Sequence, residues 1–334
     1  MKAMVLSRTA SVDTSPLELR DVPVPQAGEH EIRVRVEACG VCRTDLHVVE
    51  GELPPRTPHI VPGHQVVGTV DRCGANVTRF KKGDRVGIAW LRSTCGTCWN
   101  CHAGRENLCP QARFTGYHED GGYAEYALVR EDFAYALPAT LGSAEATPLL
   151  CAGIIGYRAL CRAEIRPGCR LGLYGFGSSA HIAIQVARHL GCTVYVMTRD
   201  QRHQALARKL GARWAGAAEE QPPDKLDSAV LFAPVGYLVP PALEALDRGG
   251  TLALAGIYMS DIPALSYERH LFHEKNLRSV TANTRADGQE LLRIAAAIPI
   301  QPQTTSFPLR DANRALQELK HDGIQGSGVL IMGD

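Results

Sequence analysis

No stretch of this 334-residue sequence approaches the ~20 consecutive apolar residues of a membrane-spanning helix, and neither sign of charge dominates: 36 Lys and Arg face 35 Asp and Glu, a formal net charge of +1. The first absence argues against a membrane span. The second removes the electrostatic case for a nucleic-acid or membrane-surface partner. Met1 to Ala10 has a Lys but lacks the apolar centre of a signal peptide, so a soluble, cytoplasmic protein is expected. Internal repeats and low-complexity tracts are also missing.

Hydrophobic residues (45%) and cysteines (eleven) are plentiful. The length predicts two domains sharing a cleft, with material for two cores. An odd number of cysteines in a chain expected in the cytoplasm points away from a disulfide framework and toward metal binding or chemistry.

The first half is punctuated by Gly and Pro and carries short strands. Glu31 to Val36 alternates with period two, and Val66 to Val70 is a compact apolar run. Lys82-Gly83-Asp84-Arg85 and Asp120-Gly121-Gly122 mark turns, so this half reads as an antiparallel, partly barrel-like β domain. After residue 152 the rhythm changes. Leu171 to Tyr174 ends at Gly175; Ile182, Val186 and Leu190 then repeat at helical spacing before Gly191. A strand at Cys192 to Met197, a helix ending at Leu210, and strands at Ala229–Phe232, Thr251–Ala255 and Arg278–Ala282 follow. Largely uncharged strands alternating with helices predict a doubly wound parallel sheet. Two helices, near Glu290–Ala297 and Ala312–Lys320, precede an apolar segment, Val329–Met332, that could pair back onto the first domain. The expected division is 1–152 with 286–334, and 153–285.

Cys95, Cys98, Cys101 and Cys109 form C-x2-C-x2-C-x7-C, with Gly96 and Gly104 allowing tight turns. Four thiolates at this spacing can close a tetrahedral shell around one zinc, and a shell with no open position is structural. An iron–sulfur cluster is the chemical alternative, and four free thiols the plain one. Pro62-Gly63-His64-Gln65, Gly40-Val41-Cys42-Arg43-Thr44-Asp45, and Cys151 at the start of the α/β region complete the set. Singly each is weak, because a buried Cys is usually a small hydrophobe.

Together these motifs resemble the zinc-containing alcohol dehydrogenases of the medium-chain dehydrogenase/reductase family, over essentially the whole chain. The resemblance implies a GroES-like β-rich catalytic domain joined to a Rossmann cofactor domain, and two Zn2+ per chain. It implies a catalytic zinc on Cys42, His64 and Cys151, with Asp45 behind His64, and a proton path through Thr44 and His47; the plain alternative for His47 is an exposed surface His. Arg43 stands where relatives contact the cofactor pyrophosphate, and Trp90 where they line the substrate pocket, though a core Trp fits equally. Arg285 is included among the candidate cofactor contacts. The sequence departs from the family at Gln65, where a Glu is usual, and at Gly326-Ser327-Gly328, where many relatives carry an Arg.

Gly175-Phe176-Gly177-Ser178-Ser179-Ala180 is a G-x-G-x-x-A loop between a strand and a helix, the setting for a dinucleotide pyrophosphate on a helix N-terminus. An NAD-selective site places an acid about ~20 residues on, at the next strand's end. Here that strand ends Met197-Thr198-Arg199, with Arg202 behind, so Thr198 and Arg199 favour NADP(H) over NAD(H); the alternative gives the ribose to Asp200. The expected substrate is a small alcohol or aldehyde, with a primary alcohol favoured by Trp90, and the expected assembly is a homo-oligomer, dimer or tetramer. The rival readings are a quinone or enoyl reductase of the same superfamily and a non-catalytic NADP(H)-sensing zinc protein.

Overall fold

The computed structural model describes residues 1–324 and 326–333. The chain divides into two compact units: Met1–Cys151 with Ala282–Ala297 and Gln301–Asp334, and Ala152–Thr281 with Ile298–Ile300. The second boundary thus lies four residues before the expected position at 286. Among the described residues no helix is long and apolar enough to cross a membrane.

The first unit holds β1 (Lys2–Leu6), β2 (Leu17–Asp21), β3 (Glu31–Val41), α1 (Arg43–Glu50), β4 (Gln65–Cys73), β5 (Arg85–Ile88), β6 (Leu91–Ser93), α2 (Trp99–His102), β7 (Arg113–Phe114), β8 (Tyr126–Arg130), β9 (Ala134–Ala136) and α3 (Ser143–Ala146). Its main sheet is centred on β3, which pairs antiparallel with β4 and β8. Ile32, Val34 and Val36 are buried on one face of β3, as their period-two spacing predicts. They pack with Val66, Val70, Val86 and Ile88 in one apolar core.

The second unit begins with α4 (Ala152–Arg162) and then alternates β10 (Arg170–Tyr174), α5 (Ser178–His189), β11 (Thr193–Met197), α6 (Gln201–Lys209), β12 (Trp214–Gly216), β13 (Leu226–Leu231), α7 (Val239–Ala245), β14 (Leu246–Leu254), α8 (Tyr267–His270) and β15 (Asn276–Ser279). The strands form a six-stranded sheet in the order β12-β11-β10-β13-β14-β15, every pair parallel. This is the doubly wound sheet read from the sequence. The strand expected at Arg278–Ala282 lies earlier, because Ala282 takes the left-handed conformation (φ 47°) and extended pairing ends before it.

The chain then returns to the first unit through α9 (Arg285–Ala297), β16 (Thr304–Pro308), α10 (Ala312–Lys320) and β17 (Ser327–Ile331). The start of α9 precedes the expected Glu290 by more than a turn. Thr284 and Asp287 explain the difference: the Thr284 N–H donates to Asp287 Oδ2 (2.7 Å), and the Asp287 N–H donates to Thr284 Oγ1 (3.2 Å). That reciprocal capping box fixes the first turn. The segment expected to pair back does so: β17 runs antiparallel to β3, with Gly328 opposite Val41 and Leu330 opposite Cys39.

Candidate metal centre and cofactor loop

Strand β3 runs directly into α1, and Cys42 is the hinge between them, extended in backbone and capping the helix. Its Sγ accepts from the Thr44 N–H (3.3 Å), and its own N–H donates to Asp45 Oδ2 (2.9 Å). The other Asp45 oxygen accepts from the Gly63 N–H (3.2 Å) and from His64 Nδ1 (2.9 Å). Gly63 is required here. Its φ is 98°, and a Cβ would lie 2.4 Å from Tyr123 Cδ1 and 2.8 Å from Cys39 Sγ. The turn therefore places His64 at the mouth of β4, fully buried. Cys151 follows the buried turn Thr147–Leu150, where Leu149 and Leu150 are fully covered.

These elements bring His64 Nε2 to 3.3 Å from Cys42 Sγ and 3.4 Å from Cys151 Sγ. A tetrahedral zinc about 2.3 Å from sulfur and about 2.0–2.1 Å from nitrogen sets sulfur–nitrogen separations near ~3.6 Å and sulfur–sulfur separations near ~3.8 Å. The three donors thus stand close to the geometry of one bound ion, and they supply three of its four positions. Burial disfavours a charged His64, yet Asp45 and Cys42 outweigh it and hold the imidazole pKa well above its usual range. Burial likewise penalises the Cys42 thiolate, but the Cys151 thiol and His64 beside it draw its pKa well down.

The second group is the Cys lobe. Cys95 Sγ stands 3.9 Å from that of Cys101 and 3.5 Å from that of Cys109, and Cys98 Sγ is 3.5 Å from that of Cys101. Backbone N–H groups of Cys95 and Cys98 point at sulfurs, and Gly96 and Gly104 both have positive φ, as the tight turns require. N–H groups at Thr97 and Cys98 pull the Cys95 thiol down to about 6. Sulfurs at these separations could close around a single ion. Among the described residues, these two groups are the clusters of Cys, His, Asp and Glu able to hold a metal, with donor atoms within 4.8 Å of one another.

The remaining expected residues divide. Thr44 is buried two residues after Cys42. His47, one turn along α1, has a side chain only 15% exposed and pairs through Nδ1 with Glu52, so it is not the exposed histidine of the plain alternative. Gln65 is buried opposite Gly40, its amide so close that a Cβ on Gly40 would lie 2.6 Å from Oε1. Trp90 stands edge-on to His64 (centroids 5.0 Å apart) and stacks on Phe114 (4.9 Å) and Tyr117 (6.1 Å). The last two were not among the expected site residues; a lone aromatic in a turn-rich stretch carries no signal of its own. Tyr123, which walls Gly63, was also missed, because Gly121-Gly122 reads only as a turn.

In the second unit, Gly175 (φ 85°) turns the chain so tightly that a Cβ would lie 2.9 Å from the Ala233 nitrogen. Gly177 caps α5 with no side chain, its Cβ position open, and Ser178 and Ser179 begin the helix, whose first turn carries no acid. Thr198 is buried just beyond β11 and Arg199 beside it is exposed. Asp200 caps α6: its carboxylate accepts from the Arg202 N–H (2.8 Å) and pairs with the Arg202 guanidinium (2.9 Å).

Arg43 lies at the start of α1 and pairs with Asp322 (3.0 Å), both exposed. Arg285 is the last of the expected cofactor contacts. It opens α9 in the first unit, where its backbone and guanidinium bind Glu106 (3.0 and 3.3 Å) and the guanidinium lies over the Phe133 ring. The segment Gly326-Ser327-Gly328 enters β17 through a left-handed Gly326 (φ 82°).

Residues 28–139 match the alcohol dehydrogenase GroES-like domain, and residues 180–297 match the zinc-binding dehydrogenase domain. A probable alcohol dehydrogenase of Mycobacterium tuberculosis is 53% identical over 99% of this chain and 97% of its own length. An alcohol dehydrogenase of Moraxella is 35% identical over 99% of both. Among solved structures, the cobalt- and zinc-bound thermostable alcohol dehydrogenase of Pyrobaculum aerophilum superposes with a TM-score of 0.88 at 27% identity, covering 99% of each chain. With this coverage of both domains, the chain belongs to the zinc-type alcohol dehydrogenases of the medium-chain dehydrogenase/reductase family.

Proposed function

We propose that this protein is a zinc-dependent alcohol dehydrogenase and aldehyde reductase that moves hydride between a small alcohol, primary by preference, and NADP(H). The convergence of Cys42, His64 and Cys151, with Asp45 fixing the outer nitrogen of His64, carries the reading. Two thiolates and a neutral imidazole would cancel the charge of Zn2+ and leave a fourth position for substrate. When bound there, zinc supplies the Lewis acidity that eases loss of the alcohol proton.

The chain's own groups do the rest. Asp45 keeps the proton of His64 on Nδ1, so that Nε2 presents its lone pair to the metal. Thr44 receives the alcohol proton at its hydroxyl, and His47 passes it toward solvent. Carbon gives up a hydride to the nicotinamide as the carbonyl forms; the reverse direction takes both back. Trp90, anchored by Phe114 and Tyr117, narrows the space beside His64 and disfavours bulky secondary alcohols.

For the cofactor, Gly175 and Gly177 with Ser178 and Ser179 cradle the pyrophosphate at the start of α5, and Arg43 supplies a cation. NADP(H) is preferred because Asp200 is turned back onto α6 and Arg202, leaving Thr198 and Arg199 to meet the 2′-phosphate. The Cys lobe holds the second, structural zinc. The same reading places the enzyme in the cytoplasm as a homo-oligomer, dimer or tetramer. Absorbance at 340 nm with a panel of alcohols and aldehydes, each with NADP(H) and NAD(H), tests it. Turnover that chelation removes and zinc restores is expected; a folded, zinc-loaded protein inert toward the whole panel would sink the reading.

A further inference from the structure

Cys169 and Cys192 are the residues just before β10 and β11, adjacent parallel strands in which Arg170 lies opposite Thr193. They are therefore one step upstream in the same register, where side chains share a face. Their sulfurs are 3.2 Å apart. Neighbouring strands run about 4.8 Å apart, within the roughly 4.4–6.8 Å between α-carbons that a disulfide spans. Both residues are buried, 3% and 8% exposed, but only just, since Arg166, Pro167, Gly168 and Gly191 beside them are exposed. The Thr193 N–H donates to the Cys169 carbonyl (2.8 Å) and the Gly168 N–H to that of Gly191 (2.9 Å), so the two strand entrances are held together without the thiols. Neither cysteine belongs to a metal cluster or to the cofactor loop, which lies at the opposite ends of these strands.

We propose that Cys169 and Cys192 are a reversible dithiol–disulfide site, oxidised by peroxide, at the strand entrances of the cofactor-domain sheet. The proposal does not rest on the assigned dehydrogenase activity. Cys169 is the attacking group: its hydrogen-bonding contact with Cys192 draws its thiol down to about 7, against burial, and the same contact pushes Cys192 up. The Cys169 thiolate attacks one peroxide oxygen; the O–O bond breaks, hydroxide leaves, and Cys169 becomes a sulfenic acid. Cys192 then attacks the Cys169 sulfur, the S–O bond breaks, and water leaves as the S–S bond forms. Two thiols and one hydrogen peroxide thus give one disulfide and two waters; the sulfurs lose two electrons and the peroxide gains them. A dithiol reductant reverses the change by exchange.

The test treats the zinc-loaded full-length protein with hydrogen peroxide at one to a few equivalents, then alkylates it in denaturant and digests it with trypsin. The peptides 163–170 and 189–199 each contain one cysteine. They are expected joined, two hydrogens lighter than their sum, while zinc content is unchanged; dithiothreitol should separate them. In Cys192→Ser the link should vanish and Cys169 should instead be trapped as a dimedone adduct, whereas Cys161→Ser should link as before. If both peptides stay fully alkylated after peroxide has released zinc or oxidised Cys161, the proposal is wrong. Recovery of the wild-type link alone decides the matter should Cys192→Ser fail to fold.

Discussion

Asp45 holds His64 and Cys42 with one carboxylate: Oδ1 accepts from the histidine ring at 2.9 Å, and Oδ2 accepts from the Cys42 backbone N–H at 2.9 Å. The cap of α1 and the partner of the His64 ring are the same side chain. In Asp45→Asn the amide can accept at one of these places but not hold both, since its nitrogen only donates. Zinc affinity or kcat/KM should fall about 10–100-fold, measured by zinc competition titration and steady-state kinetics. Unchanged values in both would detach Asp45 from the metal.

Metal analysis should find two zincs per chain. Cys151→Ser should lose activity and one zinc while remaining folded. Cys98→Ser should empty the lobe and lower Tm, with the Cys42–His64–Cys151 site still occupied. One zinc or none in the freshly purified wild type would overturn this assignment.

NADP(H) should give the higher kcat/KM. Charge-assisted hydrogen bonds from Arg199 to the 2′-phosphate contribute about 1.5–3 kcal/mol, a ten-fold preference or more. Thr198→Asp should invert the preference by facing that phosphate with a carboxylate. A wild-type enzyme faster with NAD(H) would show that Asp200 leaves Arg202 and takes the ribose instead.

Gln65→Glu should raise the apparent pKa for alcohol oxidation. It buries a carboxylate one residue from His64, and added negative charge disfavours loss of the alcohol proton. A pH–rate profile with a deuterated alcohol reports hydride transfer directly. Coincident profiles would leave Gln65 as the residue that packs on Gly40, and a downward shift would refute the electrostatic argument.

Arg285→Gln should lower stability rather than cofactor affinity. Glu106 is 6% exposed, and burial alone would raise its pKa; the Arg285 N–H and guanidinium bring it below the ordinary value. A depressed folded-state pKa gives a contribution that is fully present above the unfolded value of about 4.3 and is lost as pH falls through the folded-state value. The variant should therefore cost about 1–3 kcal/mol at pH 7 and progressively less below pH ~4, by urea unfolding. A raised KM for NADPH with unchanged stability would restore Arg285 to the cofactor.

The two groups of potential metal ligands are legible in the sequence because metal chemistry restricts residue type and spacing together: four cysteines within fifteen positions have few other uses. The parallel sheet is legible because strands buried on both faces exclude charge. Asp45 could be assigned only through the family, since nothing in a lone Asp three residues after a Cys says which oxygen goes where. The start of α9 was misjudged because Thr284-x-x-Asp287 was passed over in favour of apolar periodicity. The stacking of Phe114 and Tyr117 on Trp90 joins residues more than twenty positions apart, and side-chain stacking leaves no period to read.

The pairing of β17 with β3 joins segments that synthesis makes far apart in time. On the edge of β3 that β17 occupies, the backbone positions 38–41 lead directly into Cys42. Their partners at 328–331 are made some 290 residues later, which at typical ribosomal speeds is roughly 15–60 s. Throughout that interval the first unit lacks the partner for this edge of β3 beside Cys42, and an open strand edge is the kind of template on which neighbouring chains pair.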